Sequence, residues 1–420
     1  MQRRDVLQWL AALGAVGLVA PGAVFGAKRA ATSRASHQSS KETKPTSTWR
    51  SGKRLAVILL QGGPDGLSLV APTRDPLYRY LRPTTALDAG PESLDLGDGF
   101  LLHPALSTLF PLWKRNRLLV IPACGLPGAP TDHAGAMAAF AAGSASQKRS
   151  GNGWLGRLSL ALGGSSGQML VASQSPVYKG APHYKMLSAG RSRPLPSPVV
   201  AQQELIEEAS RLFGRHDPLT ASFASGRRTE ADHLRQLLAE SRRAADDAVT
   251  APTFAAFGER LGREMAERRD AALAFTAVGG FDTHVGQGTA KGYLADRLHE
   301  TAEGLAGLVS GLGRAFDDTV VVALGEFGRR ARENDFGGTD NGQGGVMFVL
   351  GGPVAGGRRL GMWPGLSEHR LADGRDVAVT TDWRDVVAEI AVKHLGLPEK
   401  RLGDIFPGFT PPKSPLGILG

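Results

Sequence analysis

The stretch from Phe316 to Gly352 limits the fold more than any other part of the chain. It opens with Thr319–Leu324, a β-branched apolar run too short for a helix, which reads as a buried strand. Gly325 ends the run and Glu326 follows at once, with Arg329 and Arg330 close behind. A carboxylate just past the carboxyl end of a buried parallel strand stands where open α/β sheets bind their ligands. The following loop sets Gly337, Gly338, Gly342, Gly344 and Gly345 among Asp340, Asn341 and Gln343, and Val346–Leu350 then returns to the core as a second strand. Glycine tolerates unusual backbone angles and lets the chain approach a ligand closely. The unit is built to present polar groups.

The same arrangement recurs. Leu55–Leu60 is a continuous apolar run, hence a buried first strand, and Q-G-G-P-D-G-L after it carries Asp65. Leu118–Pro122 is followed by A-C-G-L-P-G-A-P-T-D-H, where Thr131 or Asp132 can cap a helix over Ala134–Ala142. Asp132 and His133 then stand at a helix N-terminus, a natural anion site, although Asp132 serves equally well as a plain cap. Ala272–Val278 precedes G-G-F-D-T-H with Asp282 and His284, and a helix with Leu294, Leu298, Leu305, Leu308, Leu312 and Phe316 on one face leads on to the Glu326 strand. Strand, helix, strand in this order is a crossover in a parallel sheet. Near the end, Val377–Thr380 reads as a short strand, Trp383–His394 as an amphipathic helix, and I-F-P-G-F as a tail that packs down. The expected fold is α/β: a doubly wound, mainly parallel sheet flanked by helices, which gathers Asp65, Asp132, His133, Asp282, His284 and Glu326 along one edge. Carboxylates with imidazoles suit a divalent metal ion. Asp282 and His284 alone would read as a turn aspartate and a surface histidine; the repeated placement is what points to a site.

Charge separates the ends of the chain. Of the formal net charge of +9, residues 1–54 hold +8, from ten Lys/Arg against two Asp/Glu, which leaves +1 for the rest. A nearly neutral body lacks the basic face of a nucleic-acid protein. Residues 1–27 read as an export signal: Arg3–Arg4, an apolar run from Trp9 to Val19, then Pro21 and small residues to Ala27. The R-R-D-V-L pattern resembles a twin-arginine signal, which carries already folded proteins and would permit a cofactor to be loaded in the cytoplasm. The apolar run is short for a membrane span, so a processed periplasmic protein without a stable span is expected rather than an anchored one. Residues 28–53 read as a disordered basic linker, 54–420 as the folded domain, and 170–270 within it as an irregular and helical insertion. Cys124 is the sole cysteine, which rules out an intramolecular disulfide and suits a small buried residue.

G-G-P-D-G-L, L-H-P-A-L, G-W-L-G-R-L, G-G-F-D-T-H, G-E-F-G-R, G-G-T-D-N-G and T-T-D-W-R, in this order between Leu55 and Phe409, resemble the exported bacterial family called domain of unknown function 1501. That family is similar to the alkaline phosphatase and sulfatase superfamily, whose members hold one or two metals at the carboxyl edge of such a sheet. The resemblance implies an alkaline-phosphatase-like domain with Asp65, Asp282, His284 and Glu326 at metal-ligand positions and Asp340 and Asn341 beside them. Zinc, manganese, magnesium and calcium all remain open as the ion. Thr131, Asp132, His133 and Arg329 are the candidate catalytic residues, Arg329 and Arg330 being either a clamp for an anionic substrate or a solvated pair.

Two departures stand out. The family reads G-T-D-H-G-H-G where this chain has Asn341 and Gln343, and it has Ser where this chain has Asp132. Amides are poor zinc ligands but acceptable to harder ions. Two functions follow. One is a metal-dependent hydrolase of phosphate or sulfate esters, acting on an anionic small molecule or polymer; the other is a non-catalytic periplasmic binding or accessory protein whose metal site has decayed. The twin-arginine machinery is the expected export partner, and no nucleic acid is expected. A purely structural envelope role has only the linker in its favour.

Overall fold

The computed structural model describes residues 52–90, 93–146, 151–163, 169–190, 234–237, 239–240 and 247–420. The signal segment, nearly all of the linker, and Leu205, Ile206 and Leu212 of the expected insertion lie outside the described residues. Among the described residues no helix is long and apolar enough to cross a membrane.

One sheet dominates. Its strands are β1 (Arg54–Gln61), β2 (Leu118–Gly125), β3 (Met169–Val171), β4 (Tyr184–Met186), β5 (Val249–Thr250), β6 (Leu273–Gly279), β7 (Thr319–Leu324), β8 (Gly345–Gly351), β9 (Arg358–Arg359) and β10 (Thr381–Asp382). The spatial order is β9-β2-β8-β7-β1-β6-β3-β4, with β10 also beside β2 and β5 beside β6. Every pairing is parallel except the two that flank β8. A parallel pair needs a long crossover, whereas the glycine-rich loop after β7 doubles straight back, so β8 runs antiparallel.

The apolar runs are continuous because both faces of the sheet are covered. Along β1, Leu55, Val57 and Leu59 face a core with Phe140, Trp154 and Trp383. These belong to helices α1 (His133–Ala142), α2 (Trp154–Ala161) and α5 (Trp383–Glu389). The alternate residues Ala56, Ile58 and Leu60 face Phe254, Phe257, Leu305 and Leu308, from α3 (Ala251–Glu267) and α4 (Tyr293–Leu312). The period-two alternation thus feeds two separate cores. Helices α3 and α4 touch backbone to backbone: a Cβ on Gly258 would stand 2.0 Å from the Gly304 carbonyl oxygen.

Three expectations need adjustment. The described ends of 170–270 are not only irregular and helical: β3, β4 and β5 are strands of the main sheet and α3 packs on its face, while Leu234 and Leu237 pack with Val285. No strand forms over Val377–Thr380; pairing with β2 begins at Thr381. The expected helix over Trp383–His394 is α-helical only to Glu389 and widens into a π turn over Ile390–His394.

Candidate metal centre

Four loops leave the carboxyl edge of the sheet within contact of one another. Gly62 follows β1, Asp282 and His284 follow β6, Glu326 follows β7, and His133 opens α1 after β2. The approach is close: Gly62 has φ +111°, and a Cβ there would stand 2.6 Å from the Asp282 amide nitrogen, so only glycine fits. Its N–H donates to Glu326 Oε1 at 2.8 Å.

Arg329 ties these loops together. Its guanidinium donates to the carbonyls of Gly62, Gly63, Phe281 and Thr339 and to Asp282 Oδ1. Both roles expected for it, substrate clamp or solvated residue, are therefore corrected: it is 1 % exposed and every nitrogen is engaged inside the protein. Arg330 is half-buried and pairs with Asp340 at 3.0 Å.

Asp282, His284 and Glu326 are 7 %, 7 % and 4 % exposed. His284 Nδ1 lies 3.2 Å from Asp340 Oδ1, and Asp340 also accepts from Asn334 Nδ2 at 2.9 Å. Asp340 thus turns the imidazole so that Nε2 faces Asp282. Nε2 stands 3.1 Å from Asp282 Oδ1, and His133 Nε2 3.4 Å from the same oxygen, yet neither nitrogen lies on the line a hydrogen bond requires. His133 Nδ1 and Nε2, Asp282 Oδ2, His284 Nε2, Glu326 Oε2 and Asn341 Oδ1 are all buried without a hydrogen-bond partner. Buried polar atoms are normally paired, and six of them meeting here call for a common partner. Ligand atoms of His133, Asp282 and His284 lie within 4.8 Å of one another. Imidazole nitrogens and carboxylate oxygens at that spacing fit a divalent cation.

The electrostatics agree. Burial opposes a proton on His133, but the carboxylates of Asp282 and Glu326 outweigh it and raise the imidazole to about 9. His284 is raised in the same sense, burial being outweighed by Asp282 and Asp340. Asp282 resists the upward push of burial and stays well below the ordinary carboxylate value, through His133, His284 and Arg329. The pocket in front has a volume of about 430 Å³, and His133, Glu326, Asn341, Gln61, Ser175 and Asp132 are among the residues that line it.

Asp65 is not brought to this cluster. Its carboxylate is fully buried and accepts from Arg82 Nη1 at 2.5 Å and Nη2 at 2.9 Å, from Ser68 Oγ at 2.7 Å and from Gln287 Nε2 at 2.8 Å. A carboxylate saturated in this way has nothing left for a metal, so its assignment as a ligand is corrected. Asp340 likewise spends its oxygens on His284, Asn334 and Arg330 rather than facing the cluster. Asp132 is exposed and caps α1, with Oδ1 accepting from Gly135 N at 2.8 Å. Thr131 is not among the pocket-lining residues. Asn341 sits on the short strand Asn341–Gly342 paired with Gly328–Arg329 and does face the pocket. Gln343 does not line the pocket; its carbonyl accepts from Gly328 N. Sequence reasoning passed over Asn334, whose side chain holds Asp340 and caps its own loop. The only signal was N-D-F-G-G, a common turn pattern.

No curated protein matches the sequence. Among solved structures, the C-terminal periplasmic domain of EcEptC from Escherichia coli in complex with Zn is similar at 9% identity, over 72% of this chain and 74% of that one, with a TM-score of 0.36. The lipoteichoic acid synthase LtaP from Listeria monocytogenes is similar at 11% identity, over 76% and 69%, with a TM-score of 0.35. A protein in the alkaline phosphatase superfamily from Vibrio parahaemolyticus is similar at 9% identity, over 73% and 62%, with a TM-score of 0.34. At such values the likeness decides no activity. The sequence match is of another order: the model of the family described as protein of unknown function (DUF1501) covers residues 126–406, and the chain belongs to that family.

Proposed function

We propose that the protein is an exported, metal-dependent hydrolase of phosphate or sulfate esters, with His133, Asp282, His284, Glu326 and Asn341 holding a divalent ion. The carrying observation is the set of buried, unpaired ligand atoms from four loops. The ester class comes from the resemblance to the alkaline phosphatase and sulfatase superfamily. Two imidazoles beside two carboxylates suit zinc or manganese better than magnesium or calcium. A divalent ion at such a site supplies Lewis acidity and makes a bound water acidic enough to attack at neutral pH.

The chain's own residues do the positioning. Asp340 fixes the His284 ring, the Gly62 N–H holds one Glu326 oxygen and leaves the other open, and Arg329 does the same for Asp282. Glu326 and His133 meet at the pocket wall, where substrate and water enter. A second reading, a binding protein without catalysis, is favoured by one observation: no lysine or arginine is among the described residues that line the pocket.

Elemental analysis of the full chain, with hydrolysis assays on phosphate and sulfate esters, tests the proposal. About one divalent ion per chain is expected in the wild type and a loss of both ion and activity in His284→Ala and Asp282→Asn. Activity in the wild type that survives both substitutions would overturn the metal reading, and stoichiometric metal without hydrolysis of any ester would leave the binding protein. Export is tested separately: Arg3→Lys with Arg4→Lys should retain the precursor in the cytoplasm, and unchanged export would refute a twin-arginine signal.

A further inference from the structure

A second unsatisfied group lies behind the metal loop. Arg297, on the second turn of α4, is only 4 % exposed. A buried arginine is ordinarily paired with a carboxylate or with carbonyls, as Arg82 and Arg329 are here. Arg297 makes no hydrogen bond or ion pair with any described residue, and its Nε is enclosed without a partner. Its one partner is the ring of Tyr293, a helical turn earlier, 4.7 Å from the guanidinium carbon. Stacking on a tyrosine face compensates only part of the cost of burying a cation.

The surroundings are shaped for the pair. Gly280, two residues before Asp282, has φ +106°, and a Cβ there would stand 3.1 Å from Arg297 Cδ and 3.6 Å from the Tyr293 hydroxyl. The absent side chain leaves room for the arginine stem and the phenol together. Burial raises the Tyr293 phenol above its usual value, so the hydroxyl keeps its proton and can donate. Helix α4 starts at Tyr293 with Gly292 as its cap residue and no side-chain cap; in its first turn the Leu294 N–H donates to the Gln287 carbonyl and the Asp296 N–H to the Gly292 carbonyl, at the positive end of a 20-residue helix. Burial lowers the arginine's proton affinity, and Tyr293, Asp296 and Glu300 on the same helix offset this only in part, without forming an ion pair with it.

We propose that Tyr293 and Arg297 form a binding site for a tetrahedral oxyanion, phosphate or sulfate, over Gly280 at the start of α4. The planar fork of Arg297 would take two oxygens and the Tyr293 hydroxyl a third. The anion would supply the counter-charge that the fold does not, and would sit beside the loop that carries Asp282 and His284.

The site is tested on the full chain stripped of metal by chelation and dialysis, so the outcome does not depend on the metal-centre reading. Inorganic phosphate, sulfate and methyl phosphate are titrated against the wild type and against Arg297→Met, Arg297→Lys and Tyr293→Phe. Thermal melting and calorimetry are read against chloride at equal ionic strength. Phosphate or sulfate should raise the wild-type melting temperature where chloride does not. Arg297→Met should bind the anion at least tenfold more weakly while melting no lower than the wild type in chloride. Arg297→Lys and Tyr293→Phe, both conservative, should each lose several-fold. A preference for methyl phosphate over inorganic phosphate would assign the site to an esterified ligand, and the reverse to the free anion. Equal anion responses in the wild type and all variants, or no response in the wild type, would overturn the proposal.

Discussion

Asp65 and Asp282 are both buried aspartates in glycine-rich loops at the same edge of one sheet, and their surroundings are opposite. Asp65 receives Arg82 at both oxygens, together with Ser68 and Gln287, and nothing on it is open. Asp282 is held by Arg329 through Oδ1 only, at 2.9 Å; the same oxygen lies 3.1 Å from His284 Nε2 and 3.4 Å from His133 Nε2, and Oδ2 is buried without a hydrogen bond. Both carboxylates stay ionised, burial being outweighed in each case by neighbouring donors. A saturated carboxylate locks loops together, whereas a half-saturated one among other unpaired ligand atoms is suited to a cation. Burial and loop composition do not separate the two cases; the count of donors does.

The largest expected effect attacks the saturated side. Arg82→Met leaves Asp65 buried and unpaired, and should cost about 3–5 kcal/mol in urea denaturation. Asp65→Asn combined with Arg82→Met should recover much of that loss. Zinc affinity measured where Arg82→Met is still folded should match the wild type. If it fell as far as in Asp282→Asn, the two carboxylates would not be separate in function and the contrast would fail.

A smaller effect comes from pH. His133 has an ordinary value of 6.5 and is raised to about 9 in the folded, metal-free protein, the carboxylates of Asp282 and Glu326 outweighing burial. A raised value means that the folded state holds the proton more tightly. The resulting stability is fully present below about 6.5 and is lost as pH rises toward 9, amounting to about 3 kcal/mol. The Asp65–Arg82 pair contributes no slope in this window, because the Asp65 carboxylate titrates below the usual range. Loading with a divalent ion should abolish the slope, since a ligating imidazole is already deprotonated. Denaturation of the metal-free protein at a series of pH values checks this. A flat profile from 6.5 to 9 would mean that His133 does not face the two carboxylates.

The finest comparison lies within one loop. Asn341 faces the pocket with an unpaired oxygen, whereas Gln343 does not line it. Asn341→His should therefore strengthen zinc binding about tenfold, or ~1.4 kcal/mol, by adding an imidazole to the open set. Gln343→His should change zinc affinity by less than about twofold. Calorimetric titration of the two single variants decides, and a gain confined to Gln343→His would invert the assignment of the loop.

Much of the framework was legible. The apolar runs at Leu55, Leu118, Ala272 and Thr319 became β1, β2, β6 and β7, because a strand buried on both faces has to be apolar throughout. Asp282, His284, Glu326 and His133 were legible as a group, since each follows such a strand and a parallel sheet collects its carboxyl ends at one edge. Asp65 follows the same rule and departs from the group for reasons the rule does not contain. Its partner Arg82 ends an unremarkable helical turn, and Gln287 comes from the loop after the neighbouring strand β6, 222 residues away in the chain. Arg329 was misread because its five acceptors are mostly backbone carbonyls, which have no signature in sequence. Arg297 carried no signal at all, being one arginine on an amphipathic helix.

The sequence by itself determined the strands, their burial on two faces and the gathering of acid and imidazole side chains at one sheet edge. These follow from local apolar pattern and from the handedness and direction of crossovers. Only the tertiary structure decided which of those side chains are free. Whether Asp65 is sealed, Asp282 half open, Asp340 an anchor for His284 or Asn341 turned to the pocket depends on donors up to a few hundred residues away in the chain. Hydrogen bonding is short-ranged and directional, so its outcome is settled by distances of a few tenths of an ångström that no spacing in the sequence encodes.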